Sequence, residues 1–221
     1  TLYGPQTENP CARTYLQAII DDKSRKVVAA RFTERDDAAS FQKTLKGAIA
    51  SHGIPEKLFV DNGGPYRNDQ LSLICGGLGI VLVHAAVRDG AAKGKIERFN
   101  RTCRMRFLDA LTNDARKNIA ALNAHLAKWV SEYNSTPHSS TKKIPQEAFA
   151  QEAQRLRYVD DGQALHDAFL NRITRKVAND STVRINHVLF DVPMGLIGQK
   201  VEVRWTPEDT AAVWVVMQND S

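Results

Sequence analysis

Leu58-Phe59-Val60-Asp61-Asn62-Gly63 and, further on, Gly94-Lys95-Ile96-Glu97-Arg98-Phe99-Asn100-Arg101 decide how this chain is read. The first stretch is a short apolar run that ends on a carboxylate and turns at Asn-Gly, the pattern of a strand delivering Asp61 at its C-terminal end. The second opens in a glycine-bearing loop, Asp89-Gly90-Ala91-Ala92-Lys93-Gly94, and continues as an amphipathic helix. Ile96, Phe99, Cys103 and Phe107 recur at helical spacing on one side, with Lys93, Glu97, Asn100, Arg101 and Arg104 on the other. Glu97 stands alone among six cations between residues 93 and 106. A carboxylate so placed is ordinarily a salt-bridge partner. Its pairing with Asp61, 35 residues lying between them, gives it more weight.

Outward from this stretch the chain alternates strands and helices. Residues 14–21 read as a buried strand, Asp22-Lys23-Ser24 as a turn and residues 25–32 as the returning strand. Asp36 offers an N-cap for a helix over 38–51, stopped by Gly53 and Pro55. A second helix is expected over 68–79, a short strand over 80–84, and a long helix over 118–133 with Leu122, Leu126, Trp129 and Val130 on its apolar stripe. A loop follows, through Tyr133, Asn134, Pro137, His138 and Pro145. Residues 151–167 are polar, break at Asp160-Asp161-Gly162, and read as a linker. Beyond Phe169, segments at 182–186, 188–192, 199–205 and 212–216 alternate in the manner of a small all-β barrel, with Trp205 and Trp214 expected in its core.

The 221 residues, 43% hydrophobic, suffice for one large domain or two smaller ones and speak against global disorder. A net charge of +5 and a pI near 9.2 fit a polyanionic partner without establishing one. Cys11, Cys75 and Cys103 are few and set among apolar neighbours, as expected of buried thiols in a reducing compartment. No Cys/His spacing suggests zinc, and no apolar run approaches transmembrane length, so no membrane partner is expected.

Val60-Asp61-Asn62-Gly63 and Gly94 through Thr102 resemble the last two carboxylate motifs of a retroviral-integrase-type DDE transposase core. The wider chain resembles bacterial insertion-sequence transposases of that group and, from Phe169 on, the C-terminal β-barrel of phage Mu-type transposases. The resemblance implies an α/β, RNase H-like core over 1–158, a mixed sheet with helices on both faces that lacks most of its first strand, followed by a small all-β barrel over 169–221. It implies metal-dependent cleavage at the 3′ ends of a mobile element and strand transfer into target DNA. Transposon ends and target DNA would be the partners, a homo-oligomer on DNA the working form, and the bacterial cytoplasm, at the nucleoid, the location.

In that pattern Asp61 and Glu97 are catalytic metal ligands. Hard carboxylate oxygens suit two Mg²⁺ or Mn²⁺ ions, which activate both the attacking and the leaving oxygen at phosphorus. Lys93, Lys95, Arg101 and Arg104 are candidate DNA phosphate contacts, and Asn62 either holds the carboxylate, approaches DNA or only turns the chain. Arg98 reads as structural, and His138 as either a local packing residue or a DNA contact. The family's first aspartate precedes a Gly-Pro pair; with Gly4-Pro5 in that place it falls one position before Thr1, so the chain alone is expected to be inactive. Asp21 and Asp22 match the hairpin turn instead, where an Asp caps backbone N–H groups.

Overall fold

In a computed structural model, the described residues are 2–8, 13–61, 63, 66, 69–85, 90–159, 161–207 and 209–217, without the side chains of 90–93, 153, 209 and 210. The chain divides into two compact units, Thr1–Asp160 and Asp161–Ser221.

The first unit begins with β1 (Leu2–Tyr3), antiparallel to β2 (Tyr15–Ile20), which pairs antiparallel with β3 (Val27–Thr33). Only glycine fits at position 4: a Cβ there would lie 2.3 Å from Thr14 Oγ1 and 2.5 Å from the Phe32 ring. Asp21 closes the β2–β3 turn by accepting from the Ser24 N–H at 2.7 Å and the Ser24 hydroxyl at 2.6 Å, the capping role expected of it. Helix α1 (Ala38–His52) is capped by Asp37 rather than Asp36; its carboxylate accepts from Ser40 N–H at 2.9 Å. Gly53, at φ 86°, ends it.

Next come β4 (Lys57–Val60), α2 (Asp69–Leu78) and β5 (Val81–His84), with β4 and β5 parallel and Val60 opposite His84. Helix α3 (Gly90–Arg106) starts earlier than expected, since residues 90–94 are helical rather than loop. It is followed by α4 (Asn113–Arg116), α5 (Ile119–Ser135), capped by Asn118, and α6 (Pro145–Ala150). The proline that suggested a loop sits in the first turn of α6, where its missing N–H costs nothing.

The stripe Ile96, Phe99, Cys103 and Phe107 packs with Leu2, Leu16, Val27 and Phe32 of the sheet and with Leu122 and Leu126 of α5. Full burial of each large side chain stabilises by about 1.5–3 kcal/mol. Asn123 and Asn134 of α5 hydrogen-bond to the backbone of β3 and so cover its free edge. Among the described residues, the single mixed sheet expected from sequence is two separately bonded sheets, β1-β2-β3 and β4-β5. β1 contributes only two residues, and both are paired with β2.

In the second unit, α7 (Gly162–Ala168) replaces part of the expected linker. Asp161 caps it through Gln163 N–H at 2.8 Å, and Leu165 is buried. β6 (Asn171–Lys176), β9 (Lys200–Thr206) and β10 (Asp209–Met217) form an antiparallel sheet in the order β10-β9-β6, and β7 (Thr182–Ile185) pairs with β8 (Val188–Asp191). Val177, Val183, Ile185, Val192, Val201, Val203 and Trp205 share one core. These are two antiparallel sheets around a common core, and among the described residues no ladder closes them into one barrel. Trp214 departs from expectation. It pairs with Arg204 while Val213 pairs with the buried Trp205, so strand alternation turns it outward, 47% exposed.

Candidate active site

Asp61 follows directly on β4. Val60 is buried and its carbonyl accepts from Ala85 N–H at 2.8 Å, which ties the strand end that carries Asp61 to the end of β5. The Asp61 side chain is exposed, and its Oδ1 accepts from Gly63 N–H at 2.7 Å. This turn holds the carboxylate close to the backbone: a Cβ on Gly63 would stand 2.8 Å from Oδ1. Gly63 in turn accepts from Tyr66 N–H at 3.0 Å, and the Tyr66 ring meets Phe41 of α1 edge-on at 4.7 Å. Burial, and then the charges of Asp61 and Asp36, push the Tyr66 phenol up to about 12. Tyr66 escaped the sequence reading. Its signal was an aromatic following the Asn-Gly turn, and nothing in the sequence tied it to Phe41.

Glu97 lies on α3, exposed, beside the buried face that begins at Ile96. Arg101 and Arg104, at four and seven positions further, share its flank and are exposed. Lys95 does not: two helical positions place it about 200° around the axis from Glu97. It pairs instead with Asp22 in the β2–β3 turn, tying that turn to α3. Asn62 and the side chain of Lys93 lie outside the described residues. Among the described residues no three His, Cys, Asp or Glu side chains gather closely enough to hold a metal ion.

Two family models match, the TnsB C-terminal domain over residues 38–113 and the C-terminal part of Mu transposase over residues 166–221. The transposase for insertion sequence IS1202 of Streptococcus pneumoniae is 27% identical over 153 residues, covering 63% of this chain and 31% of that protein. The transposase for transposon Tn552 of Staphylococcus aureus is 29% identical over 152 residues, covering 60% and 32%. The chain is thus similar to insertion-sequence and transposon transposases. This transposase relative spans about a third of the length of those proteins. Its fold is that of integrase cores. The catalytic core of bovine immunodeficiency virus integrase superposes with a TM-score of 0.52 at 18% identity, covering 65% of this chain and 90% of that one. The magnesium-bound, trimeric HTLV-2 core does so with 0.50 at 17%, covering 67% and 90%. A chain of a simian T-cell lymphotropic virus intasome in complex with a PP2A regulatory subunit superposes with 0.57 at 15%, covering 96% and 72%.

Proposed function

We propose that this chain carries the catalytic part of an integrase-type DNA transposase, an RNase H-like core followed by a Mu-type β-barrel over 169–221. The observation that carries the reading is the pair of exposed carboxylates in a chain matched by transposases. Asp61 is oriented by Gly63 at the end of a parallel strand, and Glu97 stands on the cationic flank of α3.

Both groups offer hard oxygen donors and lie open to solvent, a donor chemistry that suits Mg²⁺ or Mn²⁺. Asp61 and Glu97 are the residues that would hold the metal. Bound divalent ions would supply Lewis acidity to the oxygens of a phosphodiester. The rest falls to the chain itself. The Gly63 N–H fixes one Asp61 oxygen, and Arg101 and Arg104 bind backbone phosphates beside Glu97, with Lys93 and Asn62 as further contacts and Lys95 tied to the β2–β3 turn. The reactions are cleavage at the 3′ ends of a mobile element and transfer into target DNA, carried out by several copies of the protein on paired ends in the bacterial cytoplasm.

The alternative is a DNA-binding or assembly module without cleavage, for which the exposed cations of α3 would suffice. The test compares a protein extended upstream of Thr1 with its Asp61→Asn and Glu97→Gln versions for Mn²⁺-dependent nicking and strand transfer. Activity lost in both substitutions supports the transposase. Nicking without joining makes it an RNase H-type nuclease, and salt-sensitive binding without nicking favours the module.

A further inference from the structure

The flank of α3 turned away from Glu97 carries its own cations. Lys95, Arg98 and Arg106 follow at i, i+3 and i+11, one stripe of the helix. Lys95 reaches Asp22 of the β2–β3 turn, which shows what this stripe meets.

Packing brings the other parts of the corner together. The Phe99 ring contacts Tyr133 of α5 edge-on at 5.5 Å, and Tyr133 contacts His138 edge-on at 6.2 Å. Asn134, beside Tyr133, clasps the backbone of Val27, only two residues beyond Arg25. Arg25 sits at the turn with φ 67°, a left-handed conformation that arginine rarely adopts. Its Nη1 is buried, lies 3.8 Å from Asp22, and has no hydrogen-bond partner among the described residues.

His138 is held as a donor. Its Nδ1 faces the Ser140 N–H at 3.3 Å and the Ser140 hydroxyl at 3.1 Å, so the neutral ring carries its proton on Nε2. Its backbone is fastened to Lys143 at 2.9 Å and to Lys142 at 2.8 Å. Burial, then Arg25 and Arg98, hold the imidazole below its ordinary pKa; burial raises the Tyr133 phenol, against the smaller opposing pull of Arg25 and Arg106. Two carboxylates belong to this turn: Asp21, occupied by Ser24, and Asp22, shared between Lys95 and Arg25. Arg98 and Arg106 are exposed and have no ion-pair partner among the described residues. Cations thus outnumber the carboxylates of this corner, and the His138 Nε2–H is a donor left over by Ser140. Guanidinium groups are planar forks of donors that match a phosphate group.

We propose that Arg25, Arg98, Arg106 and the Nε2–H of His138 form a phosphodiester-binding site, an anchor for a DNA backbone on the flank of α3 that Lys95 shares. It rests on the reading that this chain binds DNA, and it gives His138 and Arg98 a role apart from the carboxylate site.

The test is binding of the intact chain to labelled duplex DNA, followed by fluorescence anisotropy across a salt series. Arg98→Ala and Arg106→Ala each weaken binding about tenfold and lower the slope of log K against log salt by about one, as for a lost phosphate contact. Lys43→Ala, an exposed cation on α1, leaves the slope unchanged. His138→Phe weakens binding while keeping the ring contact with Tyr133, and DNA shifts the His138 ring resonances of the parent. Arg98 and Arg106 variants that behave like Lys43→Ala overturn the anchor alone. A parent that binds no duplex overturns the DNA reading with it. Inorganic phosphate saturating the His138 shifts below millimolar, with no competition from DNA, makes this a free-anion site and overturns the nucleic-acid assignment.

Discussion

The side-chain amide of Asn134 reproduces a strand partner for Val27, accepting its N–H at 2.9 Å and donating to its carbonyl at 3.0 Å. Asn123 does the same at Phe32, at 2.7 and 3.0 Å. Val27 and Phe32 are an odd number of residues apart, so in a regular strand their peptide groups would point to opposite edges. The register slip opposite Ile19 and Ile20 skips Val28 and returns both to the edge that faces α5. One helix can then satisfy both.

Asn134→Ala therefore leaves a buried N–H and a buried carbonyl unpaired. The expected loss is about 2–4 kcal/mol, since each unsatisfied buried group costs roughly 1–3 kcal/mol. Asn123, half-buried, is expected to cost less when replaced, because water can reach the freed groups. Urea unfolding of the two variants, side by side, checks the order.

Gly63→Ala separates positioning from stability. The added methyl group meets Asp61 Oδ1 at 2.8 Å, and the carboxylate, at the surface, moves aside. Metal-dependent cleavage by the extended protein is expected to fall about 100-fold, the scale of a 1 Å misplacement, with little change in melting temperature. Unchanged cleavage would remove Asp61 from the site.

Lys95 and Arg101 should part company. Arg101→Ala lowers the salt slope of DNA binding by about one with stability unchanged. Lys95→Ala breaks the link to Asp22 and costs less than about 1 kcal/mol, as surface ion pairs do. Thermal unfolding and anisotropy on both variants settle the division.

Alkaline pH should destabilise the fold. Burial raises the thiols of Cys75 to about 11 and Cys103 to about 12; Tyr66 stands at about 12 and Tyr133 is raised as well. The fold favours their protonated forms, so this stability is complete below the unfolded values, about 8.5 for thiols and 10 for phenols, and is lost as pH rises from there through the folded values. Each group contributes a slope of about 1.4 kcal/mol per pH unit within its window. Tyr66→Phe and Cys103→Ala should each flatten the decline in denaturation free energy. At the other end, His52 and His138 are held below their ordinary pKa, first by burial, so stability falls again as pH drops below about 6.5.

Much of the fold was legible in the residues because local chemistry dictates it. The period of Ile96, Phe99, Cys103 and Phe107 marks the buried face of α3, and the apolar run before Asp61 marks β4. The Asp21 turn and the Asn118 cap follow from side chains that bond their own backbone. Trp214, α7 and the start of α3 were misread because strand parity, a seven-residue helix and a glycine-bearing helix start give little periodic signal.

The sequence by itself determined which residues line the core, where the two carboxylates stand on their elements, and the excess of cations along α3. Only the tertiary structure decided which flank each cation serves. Lys95 turns to Asp22, and Tyr66 is braced on Phe41 beside Asp61. Periodicity fixes the angle of a side chain on its own helix, whereas its partners come from segments far along the chain that only packing brings into reach.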